Sequence, residues 1–320
     1  MTEKKIESFV VGEEIQGFFL IKAMNIKTSS NNKKYLDLTF ADKTGEVNGK
    51  LWDVNDKTLA AYKIGDLVKV RGTVTSWQNH TQLKITKMRE KEETDDINII
   101  DYVPAAPFDP NEMYDEIKSV VLNFQNEALK KLVIEIMESY KTPLLTAPAA
   151  KSNHHAIRSG LLYHIKRMIQ TGQGLCKVYT HINEDLLIAG IILHDMEKIN
   201  EMISDDLGIV SSYSREGQLL GHIIMGIKKI DETAKRLEID EELSLMLQHL
   251  VLSHHYEADY GSPKKPMLPE GELLHYIDKI DARMYDMTLA LKDTVAGEFT
   301  DPVWVLDKRR LYNFKGHEEA

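Results

Sequence analysis

The spacing of apolar residues changes along this 320-residue chain, and the change predicts two domains of different fold class. From about residue 10 to residue 89, apolar residues alternate with polar ones in short runs, separated by turn signals such as Asp42–Gly45. This period of two is that of half-buried strands, and about five short strands predict a small barrel. From Met113 onward the apolar residues recur every three or four positions, which is the period of an amphipathic helix.

Between these two patterns lies a segment, residues 90–112, that fits neither period. It opens with the charged run Glu90–Asp96 and continues with three prolines. Charge runs and clustered prolines are typical of segments without regular structure. The sequence therefore predicts an all-β barrel over residues 1–89, a linker over residues 90–112 and an all-α helical bundle over residues 113–320.

The composition excludes several classes of protein. A single cysteine, Cys176, cannot build a disulfide framework or a multi-cysteine zinc site, and it fits a reducing compartment. The segment Met1–Val11 is charged and lacks the apolar core of a signal peptide. No apolar run approaches the ~18 residues of a membrane span. We therefore expect a cytoplasmic protein without a membrane partner.

The charge distribution is uneven. The whole chain has a net charge of −10, but residues 1–89 contain 15 Lys and Arg against 10 Asp and Glu. A mildly basic barrel on an acidic chain is compatible with binding a polyanion at that end.

The strongest chemical signal is the pair His194-Asp195, which ends the apolar run 186–193. Polar side chains at a buried helix end cost free energy unless they are partnered, and imidazole and carboxylate together are good ligands for a divalent cation. Further histidines and an aspartate lie in separate predicted helices, and helical bundles build metal sites from such inward-facing side chains. They are His164, His222, His254, His255 and Asp278.

In this order the residues resemble the metal-binding pattern of the HD-domain phosphohydrolases. The resemblance implies that four of them bind a divalent metal: His164, His194, Asp195 and Asp278. The other three resemble the additional histidines of members that bind a second ion: His222, His254 and His255. Asp278 is preferred to Asp281 as the ligand, because the pattern of the superfamily places the ligand at the first aspartate of this pair.

The same resemblance assigns catalytic roles to Asp195 and Lys198. Asp195 holds a metal that lowers the pKa of water, and Lys198, in an HD-x-x-K turn, neutralises charge on the phosphoryl group. The turn departs from the commoner Ile-Gly pattern, since it reads Met196-Glu197 before Lys198, and Glu197 adds a charge near the site. Three further histidines are candidates for orienting the ligands through hydrogen bonds: His155, His249 and His275.

In the first domain, residues 35–53 and 65–72 resemble OB-fold modules that bind nucleic acid. Such modules bind single strands with aromatic stacking platforms and a basic groove. The stacking candidates are Tyr35, Trp52 and Trp77. The candidates for phosphate contacts are Lys33, Lys34, Lys50, Arg71 and Lys84.

The combination of an OB-fold, a linker and a multi-histidine HD domain resembles the YhaM-type 3′-5′ exoribonucleases of Gram-positive bacteria, from about residue 10 to residue 300. The resemblance implies metal-dependent hydrolysis of single-stranded RNA from its 3′ end, with single-stranded DNA as a further candidate substrate. It also implies that the metal is Mn²⁺ and that one or two ions are bound. The sequence also allows a homo-oligomer.

Two alternative functions stay open at this point. A small-nucleotide or cyclic-dinucleotide phosphodiesterase of the HD superfamily fits the His254-His255 pair, but this function does not explain the presence of the barrel. A non-enzymatic nucleic-acid-binding protein fits the barrel, but the complete set of seven candidate ligands argues against a degenerate site.

Overall fold

The computed structural model describes residues 4–29, 32–52, 54–77, 80–92, 94–95, 97–151, 154–292 and 294–315. The chain divides into two compact units, Met1–Ala105 and Ala106–Ala320. The boundary between the units falls inside the segment 90–112.

The first unit is a closed five-stranded barrel, as the alternating pattern predicts. Its strands are β1 (Glu14–Thr28), β2 (Lys34–Asp42), β3 (Gly45–Leu51), β4 (Leu67–Trp77) and β5 (His80–Glu90). They follow one another around the barrel in the order β1-β2-β3-β5-β4, and all neighbours are antiparallel except β3 and β5. A short helix, α1 (Asp56–Ala61), connects β3 to β4.

The alternation of the sequence separates the two faces of each strand. The inward side chains form the core of the barrel and are buried, including Phe19, Leu36, Leu38, Phe40, Val70 and Leu83. The residues between them on β2 and β3, such as Asp37, Asn48 and Lys50, face outward. The core therefore holds the barrel closed, while the outer face is left to polar and charged side chains.

The second unit is a helical bundle, and the prediction of helices here is confirmed. Its helices are α2 (Pro110–Leu122), α3 (Glu127–Ser139), α4 (Lys141–Leu144), α5 (Gly160–Cys176), α6 (Glu184–Leu193), α7 (Lys198–Glu201), α8 (Arg215–Arg236), α9 (Glu241–Ser253) and α10 (Pro269–Lys292). Helix α2 begins before Met113, because Asp109 caps its first turn and Pro110 suits the first helical position.

Helix α6 is the centre of the bundle. Every residue from Leu186 to Leu193 is buried, so this helix has no polar face and packs against α3, α5, α9 and α10. A helix that is apolar all round has to be buried all round. Its C-terminal end, and the residues that follow it, are therefore carried into the interior.

A small hairpin, β6 (Met202–Ser204) and β7 (Val210–Tyr213), interrupts the helices. The sequence pattern did not predict it, because strands of three and four residues are too short to show a period of two. The turn is made by Gly208, whose φ of +76° favours glycine, and by the Asp205 carboxylate, which accepts backbone N–H groups. Among the described helices, none has both the length and the apolar composition needed to cross a bilayer.

Candidate metal centre and nucleic-acid interface

The seven candidate ligands of the second unit come from five helices or the residues directly after them. His164 lies in α5, His222 in α8 and Asp278 in α10. The other four follow the last residue of a helix: His194 and Asp195 after α6, and His254 and His255 after α9. Both of these helix ends are buried, which brings the polar pairs to the inside of the bundle.

Asp195 lies between two groups of histidines. Its Oδ2 is 2.7 Å from Nζ of Lys198 and 3.3 Å from Nε2 of His194. Its Oδ1 is 3.3 Å from Nε2 of His222 and 3.9 Å from Nε2 of His254. One carboxylate therefore faces both groups, with one oxygen directed to each.

Each group has the spacing of a metal site. Within the described residues, one ligand atom from every member of a group lies within 4.8 Å of the others. The first group is His164, His194 and Asp195, and the second is Asp195, His222, His254 and His255. Asp278 adjoins the first group, because its Oδ1 is 3.3 Å from Nε2 of His164.

The five imidazoles are oriented by hydrogen bonds at Nδ1. Three of these bonds go to backbone carbonyls: His194 to Ile191, His254 to Val251 and His255 to Tyr260, at 2.6–2.8 Å. The other two go to carboxylates: His164 to Asp281 and His222 to Glu201, at 2.8 and 3.1 Å. A carbonyl can only accept, so Nδ1 of the first three rings is the donor and Nε2 carries the free lone pair. This is the usual arrangement of metal-binding histidines.

Four buried atoms at the centre have no hydrogen-bond partner among the described residues. They are Nε2 of His194, His222 and His254, and Oδ1 of Asp195. A buried polar atom without a partner costs roughly 1–3 kcal/mol, so native structures seldom keep several together. Divalent cations would satisfy these acceptors, and the residues present therefore fit such ions.

The protonation states of His254 and Asp195 suit a cation as well. Burial, helped by the neighbouring His255 and His194, lowers the pKa of His254 well below its usual value, so its ring is neutral at pH 7. Burial alone would raise the pKa of Asp195, but His194 and Lys198 hold it well below the usual range. Neutral imidazole and ionised carboxylate are the forms that bind metals.

Asp281 orients His164 from the side opposite Asp278. Its Oδ2 accepts hydrogen bonds from Nδ1 of His164 at 2.8 Å and from Nε2 of His155 at 2.7 Å, and its Oδ1 accepts from Nε of Arg167. Asp278 lies at the Nε2 edge of the same ring, where the first group of ligands meets. Sequence reasoning singled out His155 but missed Arg167, although its position three residues after His164 on α5 places it on the same helix face.

Glu201 supports His222 and was also missed. Its Oε1 accepts from the backbone N–H of His222 at 3.0 Å and lies 3.1 Å from Nδ1 of that ring. Gly221 makes this possible, because its φ of +71° breaks helix α8 just before His222 and turns that N–H toward Glu201. The spacing of three residues from Lys198 to Glu201 is the signal that the sequence offered.

In the part of the chain that the structure describes, the Glu197 side chain does not contact Lys198. It is buried and turned to another network, in which it accepts from the Tyr140 hydroxyl and, at 2.8 Å, from Nδ2 of Asn200. Lys198 is left paired with Asp195. The two neighbours in sequence therefore serve separate networks, which the spacing of residues alone does not reveal.

The other histidines differ in their distance from the centre. Nδ1 of His275 lies 2.8 Å from the carbonyl of His254, and so His275 supports a candidate ligand through the backbone. Nε2 of His249 accepts from the backbone of Met267 instead. His154 was missed: burial, and then the charge of Lys198, lower its pKa to about 4, which indicates a neutral ring close to the centre.

On the barrel, the structure brings some of the predicted nucleic-acid contacts together. Tyr35 and Trp52 stack with ring centroids 4.4 Å apart and planes inclined by 26°. Lys50 on β3 and Lys84 on β5 are direct partners in the parallel register. These four residues form a stacking pair and a pair of cations.

The remaining predicted contacts lie on β4 and at the start of β2. Trp77 ends β4 and is 63% exposed, and Arg71 on the same strand pairs with Glu14 at 3.3 Å. Lys33 precedes β2 and Lys34 begins it. Of these four residues, Arg71 lines the same cavity as Trp52.

Comparison with known families agrees with both folds. Residues 21–90 match the model of the OB-fold nucleic acid binding domain, and residues 161–283 match that of the HD domain. The second range contains all seven candidate metal ligands, and the first contains Tyr35, Trp52 and the Lys50–Lys84 pair.

Curated relatives match almost the whole chain. A protein of Shouchella clausii named 3′-5′ exoribonuclease YhaM is 38% identical over 316 residues, which cover 99% of this chain and 98% of the relative. The proteins of the same name from Bacillus subtilis and Oceanobacillus iheyensis are 37% and 40% identical, and each match covers 96% of this chain and 97% of the relative. On this similarity, the chain belongs to the family of YhaM 3′-5′ exoribonucleases.

Proposed function

We propose that this protein is a metal-dependent 3′-5′ exoribonuclease, which hydrolyses phosphodiester bonds of single-stranded RNA from the 3′ end. The observation that carries the proposal is the convergence of five oriented imidazoles and two carboxylates, among which four buried acceptor atoms lack a partner in the described residues. The full-length similarity to curated exoribonucleases supports the choice of reaction and substrate.

The donor set supports two divalent ions with Asp195 shared between them. His164, His194 and Asp278 complete one site, and His222, His254 and His255 complete the other. We propose Mn²⁺, because a mixture of carboxylates and imidazoles suits a metal between the hard and the borderline cations. Such a cation lowers the pKa of water and neutralises charge on a phosphoryl oxygen.

Lys198 supplies a fixed positive charge beside the ligands. Burial would lower the pKa of its ammonium group, but the Asp195 carboxylate at 2.7 Å outweighs burial and raises it. The side chain therefore stays protonated at neutral pH and keeps donors that Asp195 does not use. A buried ammonium group so placed can stabilise the extra negative charge that a phosphoryl group develops in the transition state.

The barrel is proposed to hold the RNA strand. The stacked pair of Tyr35 and Trp52 offers an aromatic surface to bases, and Lys50 with Lys84 offers charge to phosphates. Hydrolysis of single-stranded DNA, a homo-oligomeric state and a cytoplasmic location stay predictions from the sequence.

The test is a time course with single-stranded RNA labelled at its 5′ end, with Mn²⁺, Mg²⁺ or a chelator. We expect a ladder that shortens from the 3′ end in Mn²⁺, that is abolished by the chelator and that is lost in Asp195→Asn. The matched control is Asp115→Asn, an exposed aspartate on α2 of the same unit, which should digest RNA as the wild type does.

Two results would contradict the proposal. Intact RNA with every metal would reject the exoribonuclease, and digestion by Asp195→Asn at the wild-type rate would reject the centre. A small phosphodiester such as bis(p-nitrophenyl) phosphate, tested in parallel, separates a loss of chemistry from a loss of strand binding.

A further inference from the structure

A basic cavity of about 570 Å³ opens on the surface of the barrel. It is lined by the end of β3, helix α1, the first half of β4 and the last part of β5. Four cations line it, Lys69, Arg71, Lys87 and Arg89, and the part of its lining that the structure describes contains no Asp or Glu. On a chain with a net charge of −10, a concave surface of this kind attracts anions.

The four cations are arranged as two like-charged cross-strand pairs. The register of β4 and β5 places Lys69 opposite Arg89 and Arg71 opposite Lys87. Like charges directly opposite on a sheet destabilise it. The first pair is relieved from within the chain, because Asp95 accepts two hydrogen bonds from Arg89, at 2.6 and 2.9 Å, and lies 3.7 Å from Lys69.

Among the described residues, no carboxylate offsets the repulsion between Arg71 and Lys87 to the same extent. Within the described ranges, Arg71 forms an ion pair only with Glu14, at 3.3 Å, and both side chains are exposed, so that this contact is worth little. In the part of the chain that the structure describes, Lys87 has no ion-pair partner. The barrel thus keeps two repelling cations side by side in a cavity, and an anion from outside the chain would offset their repulsion.

An aromatic side chain completes the cavity. Trp52 lines it and is 42% exposed, while its indole ring is held in place by the stacked Tyr35. Aromatic rings of this kind stack on nucleic-acid bases, and the volume lies within the ~300–1,000 Å³ that small-molecule sites occupy. Base stacking and a pair of cations are the two features that recognise a nucleotide.

We infer that this cavity is a nucleotide site, in which Trp52 contacts the base and the Arg71–Lys87 pair contacts the phosphate. The nucleotide has two sources: a unit inside a bound strand, or a free nucleoside monophosphate. The first source rests on the proposed exoribonuclease function, since it requires that the barrel binds RNA. The second source does not require it.

The test uses the full-length protein in a chelator, so that no hydrolysis occurs. One arm follows the anisotropy of a fluorescein-labelled oligouridylate over a series of salt concentrations. The other arm follows intrinsic tryptophan fluorescence as AMP is added. The variants are Lys87→Gln and the double variant Arg71→Gln/Lys87→Gln. The matched control is Lys43→Gln, because Lys43 lies in the turn before β3, at the end of that strand remote from Trp52.

For a strand unit, each lost cation should weaken oligouridylate binding and reduce the slope of log K against log salt by about 0.7, while Lys43→Gln behaves as the wild type. For a free nucleotide, AMP should change the fluorescence of the wild type and of Lys43→Gln but not of the double variant. If both variants bind both probes as Lys43→Gln does, or if the wild type binds neither, the inference is overturned.

A failure of the nucleotide-site inference can be distinguished from a failure of the proposed exoribonuclease function, because the 3′-end ladder is measured separately and in the presence of metal. Folding is checked by thermal unfolding. Removal of one member of a repelling pair should leave the melting temperature of Lys87→Gln unchanged or higher, so that weaker binding cannot be ascribed to a damaged barrel.

Discussion

Replacing Asp281 with asparagine is expected to weaken metal binding, although Asp281 is not one of the proposed ligands. Its two oxygens accept from three donors, on His155, His164 and Arg167. An amide has only one oxygen, so its NH₂ group must face either the two imidazoles or the guanidinium. At least one donor is then left facing another donor.

The magnitude follows from burial. His155 and His164 are at most 1% exposed, so water cannot replace the lost acceptor. An unpaired buried donor costs about 1–3 kcal/mol, and loss of a carboxylate that orients a metal-binding histidine typically lowers metal affinity 10–100-fold, or about 1.4–2.7 kcal/mol. We expect Asp281→Asn to fall in that range, with kcat at saturating metal reduced much less than the affinity.

The assay is a titration of Mn²⁺ in competition with a chelating dye, followed by turnover at saturating metal. Asp286→Asn is the matched control on the same helix, and it should bind the metal as the wild type does. His164→Ala, which removes a proposed ligand, should lose more affinity than Asp281→Asn. Wild-type affinity in Asp281→Asn together with a clear loss in His164→Ala would refute the reasoning, because Asp281 would then not orient the ring.

Three further outcomes are expected. Burial raises the pKa of Asp286 to about 6, above its value in the unfolded chain, so the free-energy cost of ionising it in the folded protein grows as the pH rises through 6. In urea unfolding, Asp286→Asn should therefore be more stable than the wild type at pH 8. A stability difference between the two proteins that does not shrink toward pH 4 would contradict this. Gly160→Ala would place a methyl group 2.0 Å from the backbone carbonyl oxygen of His155, and we expect the unfolding free energy to fall by about 1–3 kcal/mol. A melting temperature equal to that of the wild type would exclude this close approach. Tyr140→Phe and Glu197→Gln remove partners of one buried network, so a double-mutant cycle should give a coupling of about 0.5–3 kcal/mol, and additive effects would show that the two side chains are independent.

Much of the architecture could be predicted from local pattern alone. A period of two and a period near 3.6 separate the barrel from the bundle, because each reports which face of an element is buried. The apolar run of α6 likewise predicted a buried helix that is followed directly by His194 and Asp195. The hairpin β6–β7 could not be predicted in this way, since it rests on one glycine and one aspartate rather than on a period.

The amino-acid sequence specifies which side chains are available: the seven candidate ligands, Lys198, and the aromatic and basic residues of the barrel. How these side chains combine depends on the tertiary fold. The fold places Asp195 between two groups of histidines. It also places Asp278 and Asp281 at opposite edges of the His164 ring, and it directs Glu197 and Lys198 to different partners. It pairs Arg71 with Lys87 across two strands. The physical reason is that hydrogen bonds and charge contacts depend on distances of a few ångströms between segments far apart in the chain, whereas periodicity reports only the side of an element on which a residue lies.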